Sequence, residues 1–210
     1  MPPLFLLDTN KFESKSEELG VCESQVGQLI TPLTGFSNQY REAGFGIDNG
    51  AFAHFDEKRW RAILKREMPN RSKCHFVVCP DVVGSARRTL ELFEHFYPSL
   101  HGWKIALACQ DGQEDLPIRW DLIDAVFIGG STEWKVSNHS EAIIKAAKAL
   151  GKWVHVGRVN SVDRYKWCER LGVDSVDGTG LSLRTANRTR IKDGMELREF
   201  DFEEPQGGSD

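Results

Sequence analysis

"HFVVCPD" (75–81), then "SARRTLELFEHF" (85–96), then "KIALACQ" (104–110) is the part of the chain from which its architecture can be read. The first and third stretches are short apolar runs bounded by polar residues, with the length and composition of buried strands. The middle one places apolar residues at helical spacing and begins at Ser85, a residue type suited to capping a helix. Strand, helix and strand with no hairpin signal between them require a crossover, so the two strands run parallel.

The same alternation extends in both directions. Further apolar runs are "LFLLD" (4–8), "QLITPL" (28–33, interrupted by Pro32), "FGID" (45–48), "AVFIGG" (125–130), "WVHVGRV" (153–159) and "DSVDG" (174–178), making eight strand candidates. Further amphipathic helices are "DEKRWRAILKREM" (56–68), "HSEAIIKAAKALG" (139–151) and "SVDRYKWCERLG" (161–172). Ser137 or His139, and Ser161, are suited to start helices, and Gly151 and Gly172 to stop them. Residues 113–124, which include Pro117, carry no clear periodicity. Eight strands in such a series predict an α/β protein, a compact single-domain (β/α)₈ TIM-like barrel over residues 1–198, with an open doubly wound sheet as the alternative. No GxGxxG follows the first strand, and GxxxxGK[ST] does not occur.

Composition narrows the class. The 210 residues are 40% hydrophobic and 28% charged, as in ordinary globular domains. No run is long enough for a membrane span, and "MPPLFLLDTN" lacks the basic start of a signal peptide, so a cytoplasmic protein with no membrane partner is expected. The five cysteines are scattered and never form CxxC, and the six histidines form neither HxxxH nor HExxH, so no metal site or cofactor is expected. Cys79 and Cys109 read as small buried hydrophobes. A net charge of −4 gives no overall basic surface for nucleic acid, although Arg184, Arg188, Arg190 and Lys192 form a local basic stretch. Residues 199–210, "EFDFEEPQGGSD", read as an acidic flexible tail. A second basic cluster, Lys58, Arg59, Arg61, Lys65 and Arg66, reads as a solvated helix face.

The strand ends share a polarity that burial alone would not select. In order they are Asp48-Asn49-Gly50, Asp81, Gln110-Asp111-Gly112, Gly129-Gly130-Ser131, Gly157-Arg158 and Asp177-Gly178-Thr179. In a parallel barrel all of these lie at one face, where the loops after the strands build the active site. Any one aspartate could be a cap or loop residue; the repetition points to a shared pocket.

Taken in order, these motifs resemble the tRNA-guanine transglycosylase superfamily, and most closely its short DNA-directed branch, the DpdA-like proteins that insert 7-deazaguanine bases into DNA. "DNGAF" (48–52) is similar to the family's D-S-G-G-F segment, which implies an acid or base role for Asp48, with Asn49 and Ala51 as departures. "CPDVVG" (79–84) and "CQDG" (109–112) resemble its base-recognition segments, implicating Asp81 and Gln110. "FIGGS" (127–131) resembles the I-G-G turn, whose backbone at Gly129 and Gly130 would contact the base. "GVDSVDG" (172–178) is similar to G-I-D-x-F-D, which makes Asp177 the nucleophile. The family's tRNA enzymes carry a cysteine-and-histidine zinc site that has no counterpart after Cys168, so the resemblance favours DNA over tRNA.

The chemistry suits these residue types. Breaking a base–sugar bond passes through an oxocarbenium-like state, which a carboxylate such as Asp177 can trap, while Asp48 protonates the departing base. A carboxylate and an amide, Asp81 and Gln110, suit the donor and acceptor edge of a guanine-type base. The nucleotide would be flipped out, with Phe52 or Trp134 either stacking on it or packing the barrel, and Arg158, more weakly Asn160 and Ser161, either binding its flanking phosphate or pairing with a rim carboxylate. His155 reads as a satisfied core or rim residue, and Asp174, on the opposite strand face from Asp177, as a structural contact. The expected function is exchange of a guanine-type base in DNA for a free 7-deazaguanine. The alternatives are a DNA glycosylase that excises a base by hydrolysis in defence or repair, a non-catalytic nucleic-acid-binding subunit with a partner protein, and a generic barrel enzyme holding phosphate at "GGST" (129–132).

Overall fold

The computed structural model describes residues 1–35 and 42–178. The eight strands are β1 (Leu4–Leu7), β2 (Val26–Ile30), β3 (Phe45–Ile47), β4 (Cys74–Val78), β5 (Ile105–Cys109), β6 (Ala125–Ile128), β7 (Trp153–Val156) and β8 (Ser175–Val176). They form a closed barrel in sequence order, every neighbour parallel. The ring closes where β8 pairs with β1 through Leu4–Ser175 and Phe5–Val176. Closure excludes the open doubly wound sheet and establishes the (β/α)₈-type barrel. Among the described residues no helix is long and apolar enough to cross a membrane.

Among the described residues six α-helices accompany the strands: α1 (Phe12–Leu19), α2 (Glu57–Glu67), α3 (Ala86–Phe96), the one-turn α4 (Thr132–Lys135), α5 (Asn138–Ala149) and α6 (Val162–Arg170). Each longer helix buries a stripe at helical spacing, as with Ala86, Thr89, Phe93 and Phe96 of α3. Ser161 caps α6 by accepting from the Arg164 amide, and Gly151 and Gly172 take left-handed φ values of 67° and 69° beyond α5 and α6. Sequence periodicity did not bring out α1, whose polar "FESKSEEL" buries only Phe12, Ser16 and Leu19. The β5–β6 connection holds two short 3₁₀ turns and no α-helix, consistent with Pro117 and the lack of periodicity there. β2 ends before Pro32, which has no N–H to offer a sheet. The basic residues of α2 are exposed, and three pair with Asp56, Glu57 or Glu67. Residues 179–210, including the expected tail and the Arg184–Lys192 stretch, lie outside the described residues.

Strand alternation divides the core in two. Leu6, Leu29, Phe76, Val78, Ala106, Ala108 and Ala125 fill the lumen with Phe127 and Trp153, while Phe5, Leu7, Ile30, Ile47, Val77, Leu107 and Val126 join the layer beneath the helices. Large rings fit inside because opposing positions are small. A Cβ on Gly46 would stand 2.6 Å from Cζ of Phe76. Phe76 has no room to yield, since Phe127 and His155 lie on it at ring distances of 6.3 and 4.9 Å. Gly46→Ala is therefore expected to destabilise the barrel by about 1–3 kcal/mol, seen as a lower urea midpoint with an unchanged slope.

Candidate active site

The ends of the strands bring Asp8, Asp48, Asp81, Asp111 and Asp177 to one rim, each in the loop directly after its strand. Their environments differ, and the differences assign distinct chemistry.

Asp177 follows the two-residue β8 and turns into the lumen mouth, its side chain 15% exposed. Oδ2 lies 2.9 Å from Nε2 of the fully buried His155, and Oδ1 accepts the Arg158 backbone N–H at 2.8 Å. Burial works to raise its pKa, but the His155 contact, the Arg158 amide and the Lys135 ammonium outweigh it and hold Asp177 below the usual carboxylate range. One lone-pair direction on each oxygen is left for an electrophile.

Asp48 behaves oppositely. Burial, then the nearby Asp177 charge and more weakly that of Asp81, raise its pKa to about 7 against the pull of the Gly50 and Asn49 amides. Two carboxylates on one rim are thus driven apart, one kept ionised and one protonated near neutrality, the separation that distinguishes nucleophile from acid in paired-carboxylate sites.

Asp81, Asn49 and Gln110 form one network. The Asn49 amide donates to Oδ1 of Asp81 at 2.7 Å and to the Cys79 carbonyl at 2.9 Å, and Gln110 Nε2 donates to Oδ2 at 2.6 Å. Oε1 of Gln110 accepts from Gly84 N at 3.0 Å and Gly130 N at 2.7 Å. The Gly129 N–H is given to the Cys109 carbonyl. Gln110 and the two glycine amides are therefore spent within the protein, and the remaining acceptor capacity of this group lies on Asp81, whose pKa burial raises against both amide contacts. Gly129 lets Gln110 approach: a Cβ there would stand 2.5 Å from Nε2.

The "GGST" turn is partly occupied in the same way. Asp111 accepts the Ser131 N–H at 2.8 Å and its hydroxyl at 2.6 Å, so both Ser131 donors are taken.

Arg158 is the one described non-glycine residue with positive φ, at 58°. That conformation aims its amide at Asp177 and its guanidinium at the Gly130 carbonyl, 2.5 Å away, beneath the exposed ring of Phe52 at 4.4 Å. Trp134, by contrast, is 7% exposed and donates its indole N–H to Glu114 at 2.7 Å, so it packs the wall and is not placed to stack on a base. Ser161 is a cap. Asp174 accepts from Lys148 of α5 at 2.6 Å and from Val154 N at 2.7 Å, the structural contact expected of it.

His155 is the satisfied core residue expected of it, with both ring nitrogens bonded, but its contact with Asp177 was not expected, and Lys135 was not singled out in the sequence at all. His155 shares the lumen face of β7 with Trp153 and Gly157, and that alternation was the available signal. Lys135 closes the one-turn α4, is 3% exposed and donates to the Gly157 carbonyl at 2.5 Å; burial, aided by Arg158, lowers its pKa to about 8. Nothing in its sequence context marked it. Among the described residues no group of three or more His, Cys, Asp or Glu could hold a metal ion.

No family model and no curated protein matches the sequence. Among solved structures, a phosphodiesterase in complex with c-di-GMP, PaMucR, is similar at 16% identity and TM-score 0.38, over 66% of this chain and 60% of that one. The chain thus spans about 60% of that protein's length. A mandelate oxidase variant bound to a hydroxy-methylphenylacetate is similar at 16% identity and TM-score 0.49, over 94% of this chain and 71% of that one.

The raised Asp48 pKa has a measurable sign. Between the ordinary value of 3.8 and about 7 the folded state keeps a proton that the unfolded chain has lost, so this contribution to stability is fullest at low pH and declines as pH rises to about 7. Asp48→Asn removes the dependence. Relative to the parent, the variant is expected to gain on the order of 4 kcal/mol between about pH 4 and pH 8, read from urea midpoints at the two values.

Proposed function

We propose that this barrel cleaves an N-glycosidic bond in DNA and joins the sugar to a 7-deazaguanine-type base. The reading rests on one observation, two carboxylates on the same rim in contrasting settings: Asp177 held by His155 Nε2 and the Arg158 amide, Asp48 buried beside other carboxylates with the Gly50 amide on its side chain, which pushes their proton affinities apart. The order of motifs resembling the transglycosylase family supports the choice of nucleic acid and incoming base.

An Asp177 carboxylate oxygen attacks C1′ of a flipped-out nucleotide. The bond from C1′ to the base nitrogen breaks, its electron pair leaves with the base, and the Asp48 carboxylic acid supplies the proton. The result is a glycosyl ester on Asp177. The incoming base then gives its N–H proton to the Asp48 carboxylate and attacks C1′ with the freed nitrogen pair, releasing Asp177. Asp81, already holding two amide donors, has acceptor positions left for the N–H groups of the base edge. Phe52, exposed over Arg158, offers a surface for stacking.

The test is incubation with labelled single-stranded DNA, duplex DNA and tRNA, with and without a free 7-deazaguanine base. Exchange in DNA only when the base is present supports the proposal; abasic sites formed without it replace exchange by hydrolytic excision, and nucleic acid left unaltered overturns both. Asp177→Asn should lower the rate by about 10³-fold or more and abolish the denaturation-stable protein–DNA adduct expected of the parent. With Asp48 as acid, kcat/KM for the cleavage half-reaction falls above about pH 7, and Asp48→Asn should erase that limb.

A further inference from the structure

Beneath Asp177 a file of polar groups runs down a lumen that is otherwise apolar. Trp153 Nε1 lies 2.9 Å from Oγ of Ser175, the same Oγ lies 2.9 Å from Nδ1 of His155, and Nε2 of His155 lies 2.9 Å from Oδ2 of Asp177. Ser175 and His155 are wholly buried. The directions follow from counting protons. An indole N–H only donates, so Ser175 Oγ accepts from Trp153. The single hydroxyl proton is then satisfied by Nδ1 of His155, which must be the accepting nitrogen. A buried hydroxyl with both neighbours donating to it would be left with its own proton unplaced, at the cost of an unmade hydrogen bond. Nε2 therefore carries the ring proton and faces a carboxylate.

We propose that Trp153, Ser175 and His155 form a directional hydrogen-bond relay that fixes the Nε2–H tautomer of His155 and, through it, the orientation of Asp177. His155 is thus a positioning residue for the reaction proposed above, and that part of the inference rests on that reading. Aromatic packing holds the ring in place. Phe127 stacks on the imidazole at 4.8 Å with 29° between planes, and Phe76 tilts against it at 4.9 Å. The charged groups that bear on Asp177 from other elements are Lys135 of α4 and Asp48 after β3, and on the far side of Trp153 the ring of His75 from β4 stacks at 4.3 Å. Gly157 keeps space for the pair: a Cβ there would meet the Phe127 ring at 2.9 Å and Oδ2 of Asp177 at 3.5 Å.

Nitrogen-15 NMR of the histidine rings at neutral pH tests the relay without reference to any reaction. The expected signature for His155, assigned by its loss in His155→Gln, is one protonated nitrogen, Nε2. A proton on Nδ1, or on both nitrogens, overturns the relay. Ser175→Ala removes the donor to Nδ1 and should shift the resonance of that unprotonated nitrogen, and an unmoved Nδ1 resonance would equally overturn the relay. For positioning, His155→Phe should lower kcat by about 10²-fold with KM little changed, and His155→Gln, whose side-chain amide can donate to Asp177, should restore most of the loss. Equal kcat in both variants and the parent removes the positioning role. The expected spectrum in a protein that leaves all nucleic acid unaltered would preserve the relay and sink the proposed reaction instead.

Discussion

The barrel depends on being closed by a strand of two residues. Ser175 and Val176 must pair with β1 on one side and β7 on the other, and so short a strand contributes little pairing of its own. Asp174 makes up the difference. Its backbone bonds to both neighbours, through Leu4 N and Val154 O, and its side chain binds the Val154 amide and the Lys148 ammonium. The residue before the strand therefore ties the seam together, and the residue after it carries the carboxylate proposed as nucleophile. Closure and chemistry share five consecutive positions, from Val173 in the core to Asp177 at the rim.

The rim illustrates how one residue type acquires several roles. Asp177 is surrounded by donors and stays charged; Asp48 faces other carboxylates and resists ionisation. Asp81 and Asp111 are committed to amides and hydroxyls of adjoining loops, and so fix the loops as much as they line the pocket. The distinction arises from which partner each strand's neighbour supplies, which is a property of barrel order rather than of local sequence.

That explains what could be read from the chain. Strand number, parallel order and the polar rim follow from periodicity and from the residues at strand ends, and alternation alone separated Asp174 from Asp177. His155 was less legible because a histidine between valines reads as core until the neighbouring strand is known to bring Asp177 within 2.9 Å. Lys135 belongs to a helix of one turn, too short to show periodicity, and its burial is a tertiary effect. The occupation of Gln110 by Gly84 and Gly130 was also hidden, since glycine-rich turns advertise open backbone donors without revealing which side chain will reach them.

The Asp111 contacts with Ser131 have a consequence for the pocket as a whole. Turns of successive N–H groups at the ends of parallel strands are natural receptors for anions. Here a tethered carboxylate sits in that receptor as a resident surrogate anion, joined to the chain and therefore present at a concentration no free phosphate can match. The loop after β6 is thereby held in a liganded shape by its own chain, and Asp48, Asp81 and Asp177 are the rim carboxylates left facing the pocket.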